Sequence, residues 1–198
     1  IMSFKIITIS REFGSGGRFI GEQIAQKCGI EFYDKKIIEH VAKELGISEQ
    51  IVANQGEYAP AGSIFSYAFV GRDITGVSLS DQIFNIQQKL IKDIAQKEPC
   101  VIVGRCADYI LSDRDDVLNV FIHGDMPEKV ARICKLYNVT EEEAEKMMAD
   151  IDKRRMTNYN FYTDQKWGKA ANYTLCLNSS QLGYDRCCLL YTSDAADD

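Results

Sequence analysis

The sequence predicts an α/β protein in which a five-stranded, mostly parallel sheet is flanked by helices. Three observations lead there. Short β-branched apolar runs at Lys5–Ile9, Cys100–Val103 and Val117–Ile122 show no polar alternation, as strands buried on both faces do. The segments between them carry apolar residues at helical spacing and end in Gly or Pro. The first run leads straight into a glycine cluster, Gly14, Gly16 and Gly17, and then into a helical pattern. Strands alternating with amphipathic helices build a parallel sheet with helices on its faces.

Each element has its own signal. After the glycine cluster, Ile20, Ile24, Ala25 and Cys28 share one helical face and Gly29 stops the helix. Ile30–Tyr33 reads as a short second strand ending at Asp34, and a helix follows with Ile37, Ile38, Val41, Ala42 and Leu45 inward and Gly46 at its end. Ser48 can cap a further short helix. The stretch Gln55–Gly76 breaks the pattern with four glycines, a proline and four aromatics between its ends, and is expected to be irregular. A long helix from about Ser80 is closed by Pro99. Asp125 can cap a helix with Pro127 in its first turn and Val130, Ile133, Cys134 and Tyr137 inward. Thr140 and Glu143 form a capping-box pattern before a stripe of Ala144, Met147, Met148 and Ile151, and Tyr173–Leu177 is the fifth strand.

Composition narrows the function. At 198 residues and 45% hydrophobic, the chain suits one domain with a full core. A net charge of −6 disfavours a broad nucleic-acid surface, so any cation site must be local. No apolar run is long enough to span a bilayer, and no signal-peptide pattern opens the chain. Seven scattered cysteines without a C-x-x-C pair suit a reduced, cytoplasmic protein; Cys28, Cys134 and Cys176 are expected to pack as small apolar groups. Neither nucleic acid nor membrane is expected as a partner.

The glycine cluster has the order of a phosphate-binding loop: strand, flexible turn, cation, helix N-terminus. Glycines let backbone amides curl around an anion, and the helix aims its positive end at the same place. Gly14, Ser15, Gly16, Gly17 and Arg18 are the phosphate-binding candidates, with Arg18 as the full positive charge. The loop departs from G-x-x-x-x-G-K-[ST]. Its lysine slot holds Arg18 in one register and Gly17 in the other, and Phe19 or Arg18 stands where a magnesium-binding hydroxyl would be. Ser10 or Ser15 could serve Mg²⁺ instead.

Parallel sheets bind ligands at the carboxyl ends of their strands. Asp34 follows the second strand, and Gly104, Arg105 and Asp108 follow Cys100–Val103, so these can converge on a phosphorylated substrate. Further on, Arg155 lies four residues after Ile151 and continues that helix's inward stripe. Residues 152–169 carry a local charge of +3, with Tyr159, Phe161, Tyr162 and Trp167 interleaved. This pattern suits a lid that neutralises a transferring phosphoryl group and excludes water.

Ile9–Arg18, Phe32-Tyr33-Asp34, Val101–Leu111 and Asn172–Ser180 together resemble the cytidylate kinase-like family, a branch of the P-loop nucleoside monophosphate kinases. The resemblance spans about Phe4 to Gly183. It implies a P-loop three-layer sandwich forming a single domain over residues 1–183, with a nucleoside-monophosphate-binding insertion at about 35–96 and a helical lid at about 148–171. It implies ATP and Mg²⁺ as cofactors, CMP or dCMP as acceptor, Asp34, Arg105 and Asp108 as acceptor-binding residues, and Arg18, Arg154 and Arg155 as catalytic cations. The family pattern would continue into a closing helix. Residues 184–198 instead resemble a translated sequencing adapter, and this non-native-looking tail is expected to be disordered or poorly packed. Two rival readings are a non-catalytic nucleotide-binding regulator, suggested by the missing lysine, and a dinucleotide-binding oxidoreductase, suggested by Gly14-x-Gly16 with Asp34 about twenty residues on.

Overall fold

A computed structural model describes residues 4–55 and 77–192. The glycine- and aromatic-rich stretch that was expected to be irregular lies, from residue 56 to 76, outside the described residues, as does the middle of the expected insertion. Strand β1 (Ile6–Arg11) is central, and the sheet order is β2 (Glu31–Tyr33), β3 (Cys100–Val103), β1, β4 (Val117–His123), β5 (Leu175–Asn178). Every pairing is parallel, so the sheet is parallel throughout, with Ile6 opposite both Cys100 and Val117. Because β3 lies between β1 and β2, the order differs from that of the dinucleotide-binding sheet, in which β2 is next to β1. The oxidoreductase reading is thereby set aside.

Strand alternation sorts the core. Ile7 and Ile9 face helix α1 (Gly17–Cys28), where Ile20 and Ile24 are fully buried. Ile6 faces the opposite layer, made by α2 (Lys35–Leu45), α3 (Glu49–Gln55) and α4 (Leu79–Lys97), through Ile37, Val41, Val52, Ile83 and Ile91. Each such side chain contributes about 1.5–3 kcal/mol by leaving water. Thr8, on the same face as Ile6, donates its hydroxyl hydrogen to the Asn119 side-chain oxygen across the β1–β4 register at 2.6 Å. A short helix α5 (Ala107–Ile110) follows β3, and α6 (Met126–Tyr137) follows β4. The long helix α7 (Glu141–Thr163) opens with the complete Thr140–Glu143 capping box. Val130 and Ile133 of α6 pack on Ala144 and Met148 of α7 in a small separate cluster.

Three expectations are corrected. Cys176 is exposed, because β5 is an edge strand with one uncovered face. Tyr137 is also exposed, its ring lying 5.9 Å from Phe13 at the surface end of α6. After α8 (Ser179–Leu182), residues Tyr184–Thr192 form helix α9 against α1 where a disordered or poorly packed end was expected. Cys187 and Cys188 are the physical reason: both are small, apolar and fully buried in the cluster that holds Ile20 and Ile24. Residues 193–198 lie outside the described residues. All seven cysteines are described and none forms a disulfide. Among the described residues, no helix is long and apolar enough to cross a membrane.

Candidate functional site

The loop between β1 and α1 sits at the carboxyl ends of the strands. Gly14 and Gly16 have φ of 85° and 80°, the left-handed conformation in which a side chain is strained. A Cβ at Gly16 would also stand 2.7 Å from the Tyr184 ring. The amides of Gly17, Arg18 and Phe19 begin α1 and have no intrahelical acceptor, which leaves them for an anion. The loop is tied down from three sides. The Glu12 carboxylate accepts from Lys129 Nζ at 2.7 Å and from the Gly124 amide at 3.3 Å. The Phe13 amide donates to Asp152 Oδ1 at 2.7 Å. The Ser179 hydroxyl donates to the Ser15 carbonyl at 2.7 Å, with the His123 carbonyl 3.0 Å away as an alternative acceptor.

A cavity of about 470 Å³ opens over the loop, lined by Arg11, Gly14, Gly16, Gly17, Arg18 and Arg155 among others. Arg18 lies at its rim with half of its side chain exposed, and its Nε donates to Asp34 Oδ2 at 2.6 Å. Arg18 was expected on the ATP phosphates and Asp34 on the acceptor; the structure joins them as one ion pair between the loop and the end of β2.

Beyond Arg11 and Arg155 lies a second, much smaller cavity of about 10 Å³, room for about one water. It is bounded by the turn after β3. Gly104, Arg105 and Cys106 all have positive φ, at 70°, 62° and 54°. Left-handed residues other than Gly cost about 1–2 kcal/mol each, and such strain clusters at functional sites. The turn is held by Gln87, whose side-chain amide donates to the Arg105 carbonyl at 3.3 Å, and by the Gly104 amide, which donates to the Ile9 carbonyl at 2.9 Å. Arg105 is buried, and three arginines, Arg11, Arg105 and Arg155, line this cavity among the described residues. That arrangement suits an anion.

Asp108 is not part of that wall. It is buried on α5 and accepts the Tyr159 hydroxyl hydrogen at 2.7 Å, joining α7 to the β3 turn. Burial pushes its carboxyl pKa up, partly offset by the Tyr159 hydrogen bond. The Tyr173 phenol is pushed up to about 12, first by burial and then by Asp108. Arg154 stands apart from both cavities. It pairs with Asp150 one turn earlier, because a residue next to the inward-facing Arg155 is turned roughly 100° away on the helix.

Arg155 fastens helix α7 to the loop. Its Nη1 donates to the Arg11 carbonyl at 3.0 Å, lies 3.5 Å from Asp152 Oδ1, and its guanidinium lies 5.7 Å from the Phe13 ring centre. Burial raises the Asp152 pKa from 3.8 to about 6, with Arg155 and the Phe13 amide opposing the rise. The folded chain therefore holds this proton more tightly than the unfolded chain. The group's stabilisation is complete below about pH 4 and is lost as pH rises through 6, an effect on the order of 2–3 kcal/mol. Asp152→Asn keeps the acceptor for Phe13 and removes the titration. Its melting temperature should gain on that of the parent between pH 4 and 7, as thermal melts across that range would show; parallel profiles would refute the assignment.

The nominated hydroxyls do not fit a magnesium ion as they stand. Ser15 is buried with its hydroxyl donating to the Glu12 carbonyl at 2.9 Å, and Ser10 hydrogen-bonds Tyr173. The Glu12 carboxylate is occupied by Lys129. Among the described residues, no group of three or more His, Cys, Asp or Glu is placed to hold a metal.

Sequence reasoning missed Arg11, Glu12, Lys129 and Asp152. Arg11 was within reach, since alternation along β1 puts residues 7, 9 and 11 on the α1 face. Lys129 and Asp152 had no signal, because their partners are more than a hundred positions away.

The model of the cytidylate kinase-like family matches residues 6–181. The chain belongs to the cytidylate kinase-like family. No curated protein matches it. A crystal structure of an uncharacterised protein from Eubacterium ventriosum is similar at 29% identity and TM-score 0.73, with 98% of this chain and 99% of that one covered. Shikimate kinase from Bacteroides thetaiotaomicron matches at 12% identity and TM-score 0.54, covering 96% of this chain and 97% of that one. Shikimate kinase from Acinetobacter baumannii, in complex with shikimate, gives 12% and 0.54, covering 100% and 96%. At this identity the shikimate kinases speak for the P-loop kinase fold alone. In this cytidylate kinase-like chain, the block at 9–18 lines the larger cavity and reaches the smaller one through Ser10 and Arg11, where Gly104, Arg105 and Cys106 of the block at 101–111 meet it.

Proposed function

We propose that this chain transfers the terminal phosphoryl group of ATP to a nucleoside monophosphate, CMP or dCMP. One observation carries the reading: Arg11 and Arg155 line both the loop cavity and the arginine-walled cavity beside it. A phosphoryl group passing from one to the other would cross between two guanidinium groups. Phosphoryl transfer needs little covalent help from a protein; positioning and charge stabilisation supply most of the acceleration.

In this reading the loop from Gly14 to Gly17 and Arg18 at its rim hold the triphosphate. Arg105 takes the acceptor phosphate, and Arg155 stabilises the group in transit. Asp108 holds the lid closed through Tyr159. Asp34 orients Arg18, and Arg154 stays outside the reaction. The small cavity must widen to admit an acceptor, so α7 would move away from the β3 turn and return. The preference for cytidine rests on family membership.

The test is ADP release with CMP, dCMP, UMP and AMP as acceptors, at several magnesium concentrations, beside calorimetric titration with ATP. Faster ADP release with CMP or dCMP than with the others is expected. ATP binding without turnover on any acceptor would favour the regulator, which the missing loop lysine suggests. No ATP binding at any magnesium concentration would overturn both.

A further inference from the structure

We propose that Arg11, from the end of β1, supplies the phosphate-loop cation that a lysine at the start of the following helix ordinarily supplies. The inference rests on the phosphoryl-transfer reading of the site and names a residue that the motif does not contain. With Gly16 as the loop's last glycine, the lysine slot falls on Gly17, which has no side chain. A Cβ built at Gly17 would stand 2.6 Å from Arg11 Cβ and 3.0 Å from its Cγ. The Arg11 side chain thus starts where a lysine's would, and the two positions exclude each other. Gly17 and Arg11 form one unit, with the cation moved from helix to strand.

Three further features agree. Alternation along β1 places Arg11 with Ile7 and Ile9 on the face that α1 covers, under the amides that begin the helix. Arg11 is 4% exposed and lines both cavities, which puts it between donor and acceptor. Its carbonyl is held by Arg155, so closing the lid also sets its backbone. Arg18, the other cation of the loop, is 52% exposed in its side chain and paired to Asp34 at the outer edge. A guanidinium can grip two phosphate oxygens at once, which a lysine ammonium cannot match geometrically.

The experiment moves the charge back. Arg11→Met keeps the aliphatic stem against Gly17 and removes the guanidinium. The double variant Arg11→Ala/Gly17→Lys clears the space and places a lysine in its usual slot. Calorimetry with ATP should show Arg11→Met weaker by roughly ten- to a hundredfold, the range for losing a charge-assisted hydrogen bond. The double variant should bind ATP at least about tenfold more tightly than Arg11→Ala alone. A merely structural role for Arg11 would not be rescued by a lysine on another element. Parent-like ATP affinity in Arg11→Met overturns the proposal, as does a folded double variant no better than Arg11→Ala. If the double variant fails to fold, Arg11→Met decides alone. The parent protein, titrated in the same series, separates this outcome from failure of the wider reading, because a parent that ignores ATP removes the site itself.

Discussion

Arg105→Ala is expected to lower kcat/KM for phosphoryl transfer by about 10²–10³-fold, the usual effect of removing one fixed charge donor from a water-excluding site. Arg105 is buried at the turn after β3, and the cavity it lines with Arg11 and Arg155 holds about one water's volume. In such surroundings a guanidinium acts on an anion with far less screening than at the surface. Stability and chemistry can be separated at this position. With φ at 62°, Arg105 is in a conformation that glycine adopts without strain. Arg105→Gly should therefore lose activity as fully as the alanine variant while recovering about 1 kcal/mol of backbone strain. Steady-state ADP release with thermal melts of both variants provides the measurement. An active Arg105→Gly protein would remove Arg105 from the acceptor site.

The second large effect is expected at Arg155. Arg155→Met removes the donor to the Arg11 carbonyl and leaves the half-buried Asp152 carboxylate without its Arg155 partner. Breaking one partner of a fully buried pair costs about 3–5 kcal/mol because the other charge is stranded, and the partial exposure of Asp152 makes the expected loss here smaller. Asp152, already raised to about 6, can limit that cost by taking a proton. Adding Asp152→Asn should thus return much of the lost stability at neutral pH. Transfer should stay depressed by about a hundredfold or more, since the charge between the two cavities is still missing. Melts and turnover measured on the single and double variants separate the two roles. Full turnover in the double variant would mean that Arg155 serves only to hold the loop.

The architecture was readable because its signals are local. β3 matched its apolar run residue for residue, and the capping box at Thr140 and Glu143 formed as the spacing predicts. Capping depends on neighbours three positions apart, and a strand covered on both faces must be apolar throughout. The inward position of Arg155 was legible for the same reason, as the next turn of an apolar stripe. Where the reading failed, the deciding partner was distant. Cys176 was expected inside and is exposed, since only the strand order shows that β5 has an open edge. Asp108 was nominated with Arg105, and its contact with Tyr159, fifty-one positions away, had no signal in the sequence. Arg18 was nominated as the loop cation because motifs count along the chain, and counting cannot see that the Arg11 side chain occupies the space beside Gly17.

Periodicity, glycine placement and capping pairs, all short-range properties, were enough to establish an α/β sheet with a glycine-rich turn after its first strand. Which cations gather at that turn was decided by folding. Arg11, Arg105 and Arg155 are spread across 144 positions, and only the parallel order of β3 beside β1, with Arg155 of α7 bonded to the end of β1, brings them together. Charge acts through space, and separation in space is set by how strands and helices pack, which no local pattern in the chain records.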